Sequence, residues 1–325
     1  MDDAEQDVGA VWVLADDRTG NVNQAVGVAE ALGAPFAIKP LAYDRCGGWP
    51  NLVRGASLLG VAGDSRAALA PPWPRVVIAA GRRTVPVARY IKKQSGARTF
   101  LVQIMWPGPP LGDLDLVAVP EHDEVPAQVN VMRTLGAPHR VTRARISAEG
   151  EKWRDCFADL PRPRIAMLVG GAARDKGFDA SVAGDLGRRA SELARSAGGS
   201  LLITTSRRTG VVARNALLGA IDAPAYLHIW SREGDNPYFA FLGLCDGVIV
   251  TGDSTSMCSE ACATGRPVYI FAPPAKTAPK HQRLHQALYA GGYARPLRGA
   301  FEDWTCPPLN AAEEIAARVR AMVLP

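Results

Sequence analysis

The chain has 325 residues with 37 Lys+Arg against 32 Asp+Glu, giving a net charge of +5 and a pI near 9.0. With 47% hydrophobic and 21% charged residues the composition is that of a folded globular chain, which excludes disorder. The positive excess is small and scattered in pairs such as Arg82 with Arg83, Arg188 with Arg189 and Arg207 with Arg208, which excludes a nucleic-acid-binding tail. It suits an anionic small ligand, and it permits a peripheral contact with the inner membrane. The opening stretch MDDAEQDVGA is acidic and polar, unlike a secretory leader, and no apolar run approaches the ~20 residues of a membrane span, so a cytoplasmic location is expected. Six cysteines stand singly, without C-x-x-C or Cys/His clusters, which points away from disulfides and zinc.

In chain order, apolar runs predict strands at 11–15, 35–41, 75–81, 99–105 and 115–120, with helices near 22–32, 50–60 and 84–95. The scheme then repeats, with strands at 164–171, 201–206, 225–230, 246–251 and 268–271 and helices near 179–197, 210–219, 236–245, 254–264 and 281–291. A last helix spans 311–323. Strands that are apolar throughout belong to sheets covered on both faces. Their alternation with helices predicts an α/β chain of two doubly wound Rossmann-like domains facing across a cleft. The length allows about 150 residues for each. Two prolines in DLPRPR put the boundary near 160, giving domains 1–160 and 161–325.

Ligands of such domains sit beyond the carboxyl ends of strands, so the loops there carry the candidate site residues. After the first strand comes DDRTGNVNQA, where Asp16, Asp17 and Arg18 precede a helix starting near Asn21 or Asn23; a carboxylate there can act as general base, or the segment can simply be turn and cap. His122 and Asp123 end the strand at 115–120, where a histidine can serve as acid or base. Asp113 and Asp115 form a DxD at a strand start, the wrong end for a ligand. In LVGGAARDKG, Gly170 and Gly171 allow close backbone approach to a phosphate that Arg174 and Lys176 neutralise. In TTSRRTG, Thr204, Thr205 and Ser206 lead into Arg207 and Arg208, two guanidinium groups suited to phosphate.

The most informative stretch is DGVIVTGDSTSMCSEACATGRPVYIF (246–271), which spells strand, hydroxyl-rich turn, helix, Gly-Pro break and strand. A helix start carries unpaired N–H groups and roughly half a positive charge, so a diphosphate fits there beside Asp253, Ser254 and Ser256. Ser256 and Glu260 are four apart and share a face, aiming a carboxylate that suits ribose hydroxyls. The plain alternative is a helix cap by Ser254 or Ser256. A capping box is excluded, because Met257 stands three residues before Glu260. Walker A, G-x-S-x-G and complete G-x-G-x-x-G signatures are missing, which lowers ATP, acyl-transfer and NAD chemistry.

The string GDNPYFAFLGLCDGVIVTGDSTSMCSEACATGRPVYIF (234–271), with TTSRRTG, LVGG, PEHD (120–123) and DDRTGNVNQA, resembles the elongated-mitochondria fission family, whose members resemble GT-B glycosyltransferases. The likeness spans nearly the whole chain. The pattern around Glu260, Gly265 and Pro267 is also similar to the donor site of the lipid-linked GlcNAc transferase of peptidoglycan synthesis. The resemblance implies that Asp253, Ser254, Ser256, Met257 and Glu260 bind the donor nucleotide. It further implies that Gly170, Gly171 and Arg207 lie near the phosphates, and that Asp16, Arg18 and Gln24 face the acceptor. The chain departs from the pattern at Asp17, where glycine is expected, and at Asn21, often histidine, which leaves the identity of the base open. The expected activity is metal-independent transfer from a nucleotide-diphosphate sugar to an envelope or lipid-linked glycan, with no further cofactor. A non-catalytic interaction module and a nucleotide-sugar 2-epimerase are the alternatives.

Overall fold

A computed structural model of the chain describes residues 11–171, 178–231 and 233–323. Its first stretch runs through β1 (Val11–Ala15), α1 (Thr19–Leu32), β2 (Phe36–Pro40), α2 (Asn51–Arg54), α3 (Gly63–Ala67), β3 (Val76–Ala80), α4 (Val85–Gln94), β4 (Phe100–Ile104), β5 (Leu116–Pro120) and β6 (Val131–Thr134). There follow α5 (Arg143–Trp153), β7 (Arg164–Val169), α6 (Ala180–Ser196), β8 (Ser200–Thr205), α7 (Val211–Gly219) and β9 (Ala225–His228). The remainder is α8 (Tyr238–Leu244), β10 (Gly247–Thr251), α9 (Thr255–Cys262), β11 (Val268–Phe271), α10 (Pro279–Ala290), β12 (Arg295–Pro296) and α11 (Ala311–Val323).

The chain divides into two compact units: the part up to Arg140 together with the segment from Asn310, and Val141–Leu309. Each holds a six-stranded sheet, ordered β2-β1-β3-β4-β5-β6 in the first and β12-β11-β10-β7-β8-β9 in the second. All pairs are parallel. The α/β, doubly wound class is therefore as the apolar strands predict. Along β1, Val11 and Val13 pack with Val26 of α1 and Ile315 of α11, while Trp12 and Leu14 pack with Val87 and Ile91 of α4, so one strand feeds two cores. In the second unit Ile165, Met167 and Val169 pack against Leu186 and Leu193 of α6.

The division differs from the expected boundary near 160. Residues 143–157 belong to the second unit because α5 packs on α8 at glycine contacts: a Cβ on Gly243 would lie 2.0 Å from the Ile146 carbonyl. Phe157, fully buried, also meets Tyr226 and Phe241 at ring distances of 4.8 and 5.5 Å. At the other end α11 returns to α1. The helix expected near 50–60 is only the single turn α2, and the apolar runs do not predict α3, β6, α5 or β12.

Sequential strands move outward in opposite directions from β1 and β3 in one sheet and from β7 and β10 in the other. These are the topological switch points, where the loops diverge and leave a crevice.

Candidate functional site

At the switch point of the second unit the loops after β7 and β10 are tied together by side chains. Gly170 N donates to Thr251 Oγ1 (2.8 Å), Thr251 Oγ1 to Asp253 Oδ1 (2.7 Å), and Gly171 N to Asp253 Oδ2 (3.0 Å). Arg208 reaches the same Oδ2 at 3.1 Å. The loop after β8 joins in, since Ser206 Oγ and Thr209 Oγ1 donate to the Gly170 carbonyl at 2.7 and 2.5 Å. The glycine doublet is required by this packing: a Cβ on Gly170 would lie 2.3 Å from Asp253 Oδ1, and one on Gly171 2.1 Å from the Arg208 carbonyl. Gly171→Ala should therefore push the TTSRRTG loop away and destabilise the unit by about 1–3 kcal/mol, read as a lower denaturation midpoint; an unchanged midpoint would contradict the packing.

Ser254 has extended backbone and its Oγ accepts from Met257 N at 3.4 Å, making it the N-cap of α9. Ser256 and Met257 occupy the first turn. Beside this turn lies a hollow lined in part by Gly171, Thr251, Gly252, Asp253 and Lys276. Lys276 also pairs with Asp179 at 3.0 Å. His281, at the start of α10, feels the charges of Asp253 and Arg208, and burial lowers its pKa. Deeper, burial lowers His285 to about 4, so its ring is neutral; Nε2 carries the proton and donates to the Gly252 carbonyl at 3.0 Å.

Glu260 lies one turn further along α9. Asn236 Oδ1 accepts from Tyr238 N (3.0 Å) and starts α8 so that the Tyr238 hydroxyl donates to Glu260 Oε2. Part of Glu260 still reaches solvent, yet its carboxylate sits in a low-dielectric setting that pushes its pKa up to about 7, against the lowering effect of Tyr238. Burial and the neighbouring carboxylate hold Tyr238 well above its ordinary range, so it remains the donor. Glu260 Oε1 has no protein donor among the described residues.

At the switch point of the first unit Asp16 is buried and fully engaged. Its Oδ1 accepts from Arg18 N (3.0 Å), and its Oδ2 from Asn21 Nδ2 (3.3 Å) and Arg83 (3.4 Å). Arg83 also holds the exposed Asp17. Gly81 follows β3 and faces Asn21, whose Nδ2 would lie 2.5 Å from a Cβ there.

A family profile described as "Mitochondrial fission ELM1" matches residues 19–323. The chain belongs to the mitochondrial fission ELM1 family. Among its relatives, the mitochondrial fission protein ELM1 of Arabidopsis thaliana is 30% identical over 292 residues, 82% of this chain and 67% of that protein. Protein RP120 of Rickettsia prowazekii is 26% identical over 347 residues, covering 95% and 97%. Among solved structures, a UDP-N-acetylglucosamine 2-epimerase described as such for Listeria monocytogenes superposes with a TM-score of 0.53 at 12% identity, over 96% of this chain and 95% of that one. The enzyme of the same name from Methanocaldococcus jannaschii gives 0.52 at 9%, over 97% and 99%. These two likenesses concern the fold.

Within this ELM1-family chain the structure brings Gly170, Gly171, Asp253, Ser254 and Met257 together, with Glu260 on the same helix. Thr205 is buried and accepts from Trp230 N at 2.9 Å, a bond internal to the sheet edge. Arg208, rather than Arg207, pairs with Asp253, and both arginines are exposed. Arg174 and Lys176 lie outside the described residues. Arg18 caps α1, which starts at Thr19 rather than near Asn21, and Gln24 is buried in that helix. His122 is buried after β5, three strand spacings or roughly 14 Å from the end of β1. It is therefore not part of the Asp16 cluster. Asp113 and Asp115 of the DxD pair with Arg89 and Lys92 at 2.7 and 2.6 Å. Sequence reasoning missed Tyr238, His281 and Arg83. The Asn-Pro-Tyr signal before α8 pointed to the first of these.

Proposed function

We propose that the chain is a GT-B-type glycosyltransferase whose second unit binds a nucleotide-diphosphate sugar at α9 and whose acceptor is an envelope or lipid-linked glycan. The observation that carries this is the placement of Glu260. A carboxylate with one free oxygen stands one helical turn behind a capped N-terminus, at a switch point lined by two glycines. Ribose hydroxyls donate to Glu260, the diphosphate lies along the first turn with Ser256, and Arg207 and Arg208 add positive charge. On transfer, the acceptor oxygen forms a bond to the anomeric carbon as the bond to the diphosphate breaks. The helix dipole and arginines stabilise that leaving group without requiring a metal ion. The acceptor proton passes to a base in the first unit, which we assign to Asp16.

A second reading is favoured by one observation. Both Asp16 oxygens are already occupied by donors, as expected of an anchor in a nucleotide-binding module without catalysis. Incubating the protein with nucleotide-sugars and following the donor by NMR separates the cases. Release of nucleoside diphosphate supports transfer, with water as slow substitute acceptor; interconversion of two nucleotide-sugars without release supports an epimerase. A thermal shift without turnover supports a non-catalytic module that still binds nucleotide, and no shift with any nucleotide-sugar overturns transfer and epimerisation and leaves an interaction module.

A further inference from the structure

In the first unit the segment 49–59 exposes large apolar side chains. Leu52 is 85% exposed, Val53 61%, Trp49 47% and Leu59 39%. Such residues scattered singly would need no explanation, but here four fall within eleven residues around one short turn. That turn is firmly built. Arg54, only 1% exposed, lies beneath it and donates to the carbonyls of Leu59 (3.0 Å), Gly47 (3.2 Å) and Arg83 (3.1 Å). Arg82 donates to the carbonyls of Trp49 and Gly48 at 2.9 and 3.0 Å, and Asn51 Nδ2 returns a bond to the Arg82 carbonyl at 3.1 Å. The Tyr43 ring lies 5.4 Å from the Arg54 guanidinium and 4.8 Å from that of Arg83. A buried arginine thus fixes a turn whose apolar side chains point to water.

We propose that this ridge docks on an anionic lipid bilayer, with Trp49, Leu52 and Val53 entering the interface. Two features favour lipid over a protein partner. A leucine 85% exposed protrudes, which suits insertion among headgroups better than a flat apposition. The exposed charge at the edge of the ridge is net positive: Arg45 and Arg82 stand against a single exposed carboxylate, Asp44, while Arg54 is buried beneath. Basic groups around an apolar tip match anionic headgroups. No helix among the described residues is long and apolar enough to cross a membrane, so attachment would be peripheral. Because Arg54 holds the Arg83 carbonyl and Arg83 pairs with Asp16, docking would bring the Asp16 cluster to the lipid surface. In that respect alone the proposal rests on the transferase reading, since it selects a lipid-borne acceptor.

The test is sedimentation of the full-length protein with vesicles of phosphatidylcholine alone and of phosphatidylcholine with phosphatidylglycerol. Wild type is expected to sediment with the mixed vesicles and far less with the neutral ones. Leu52→Asp with Val53→Asp should weaken that partition roughly tenfold or more at an unchanged melting temperature, because both side chains are already exposed. Arg45→Glu should weaken it on the mixed vesicles only. Wild type remaining in solution, or a double variant that binds as well as wild type, overturns the proposal. So does a wild-type dimer that the double variant dissolves, which would make the ridge a protein interface. Vesicle binding that persists in a protein showing no nucleotide-sugar binding would overturn the transferase reading and leave the docking surface standing.

Discussion

Asp16→Asn should lower turnover of a nucleotide-sugar by roughly 10²- to 10⁴-fold while leaving its affinity nearly unchanged, the signature of a lost general base. The side-chain network makes the outcome decisive. Asp16 accepts from Arg18 N, Asn21 and Arg83, so an amide there presents its NH₂ to one of these donors and should also cost about 1–3 kcal/mol of stability. Arg83→Ala removes the ion pair and keeps the carboxylate, and so serves as the comparison. If Asp16 only anchors the loop, the two variants lose stability and activity in parallel. If it is the base, turnover falls much further in Asp16→Asn than in Arg83→Ala at comparable melting temperature. Unaltered turnover in Asp16→Asn, measured with any donor that wild type consumes, removes Asp16 from the chemistry.

The strands were legible because parallel sheets covered on both faces leave no room for polar residues: VWVLA, RVVIAAG and DGVIVT announce themselves without alternation. Elements at the edges carry no such mark. β12 is two residues long, β6 is only partly apolar, and α5 (RARISAEGEKW) has glycine and scattered charge in place of an apolar stripe, its one signal being the Thr142 cap on Arg145 N at 3.2 Å. The unit boundary was misplaced for the same reason. Prolines at 161 and 163 mark a strand start, whereas the aromatic contacts of Phe157 that assign α5 to the second unit are long-range. In the site, the α9 cap and the face shared by Ser256 and Glu260 follow from spacing alone. What spacing does not convey is which partner a side chain finds. In sequence Gly170 and Gly171 offer room for a phosphate, and the first contacts they spare are with Asp253 and the Arg208 carbonyl.

Glu260→Ala should weaken binding of a nucleotide-sugar by about 1–3 kcal/mol without unfolding the unit, the range for a lost charged hydrogen bond. The pH dependence is more specific. The folded pKa of about 7 exceeds the ordinary 4.5, so Glu260 contributes stability that is fully present below about pH 4.5 and lost as pH rises through about 7. Without ligand, the melting temperature of wild type should therefore fall across that window relative to Glu260→Gln, which cannot ionise. Ribose hydroxyls donate to the ionised carboxylate and favour it, so binding expels a proton, and affinity should climb with pH until about 7 and then level off. A nucleotide-sugar is the proper probe, because its doubly esterified diphosphate lacks the phosphate ionisation near pH 6 of a free terminal phosphate. His281 acts with the opposite sign: charged at low pH it would draw the diphosphate in, and Glu260→Gln should expose that slope alone. Tyr238→Phe deletes the hydrogen bond that holds the Glu260 pKa down, so its plateau should move to higher pH. Calorimetric titrations in buffers of different protonation enthalpy measure the expelled proton directly. Identical pH profiles for wild type and Glu260→Gln would place the nucleotide away from this carboxylate, and with it away from α9.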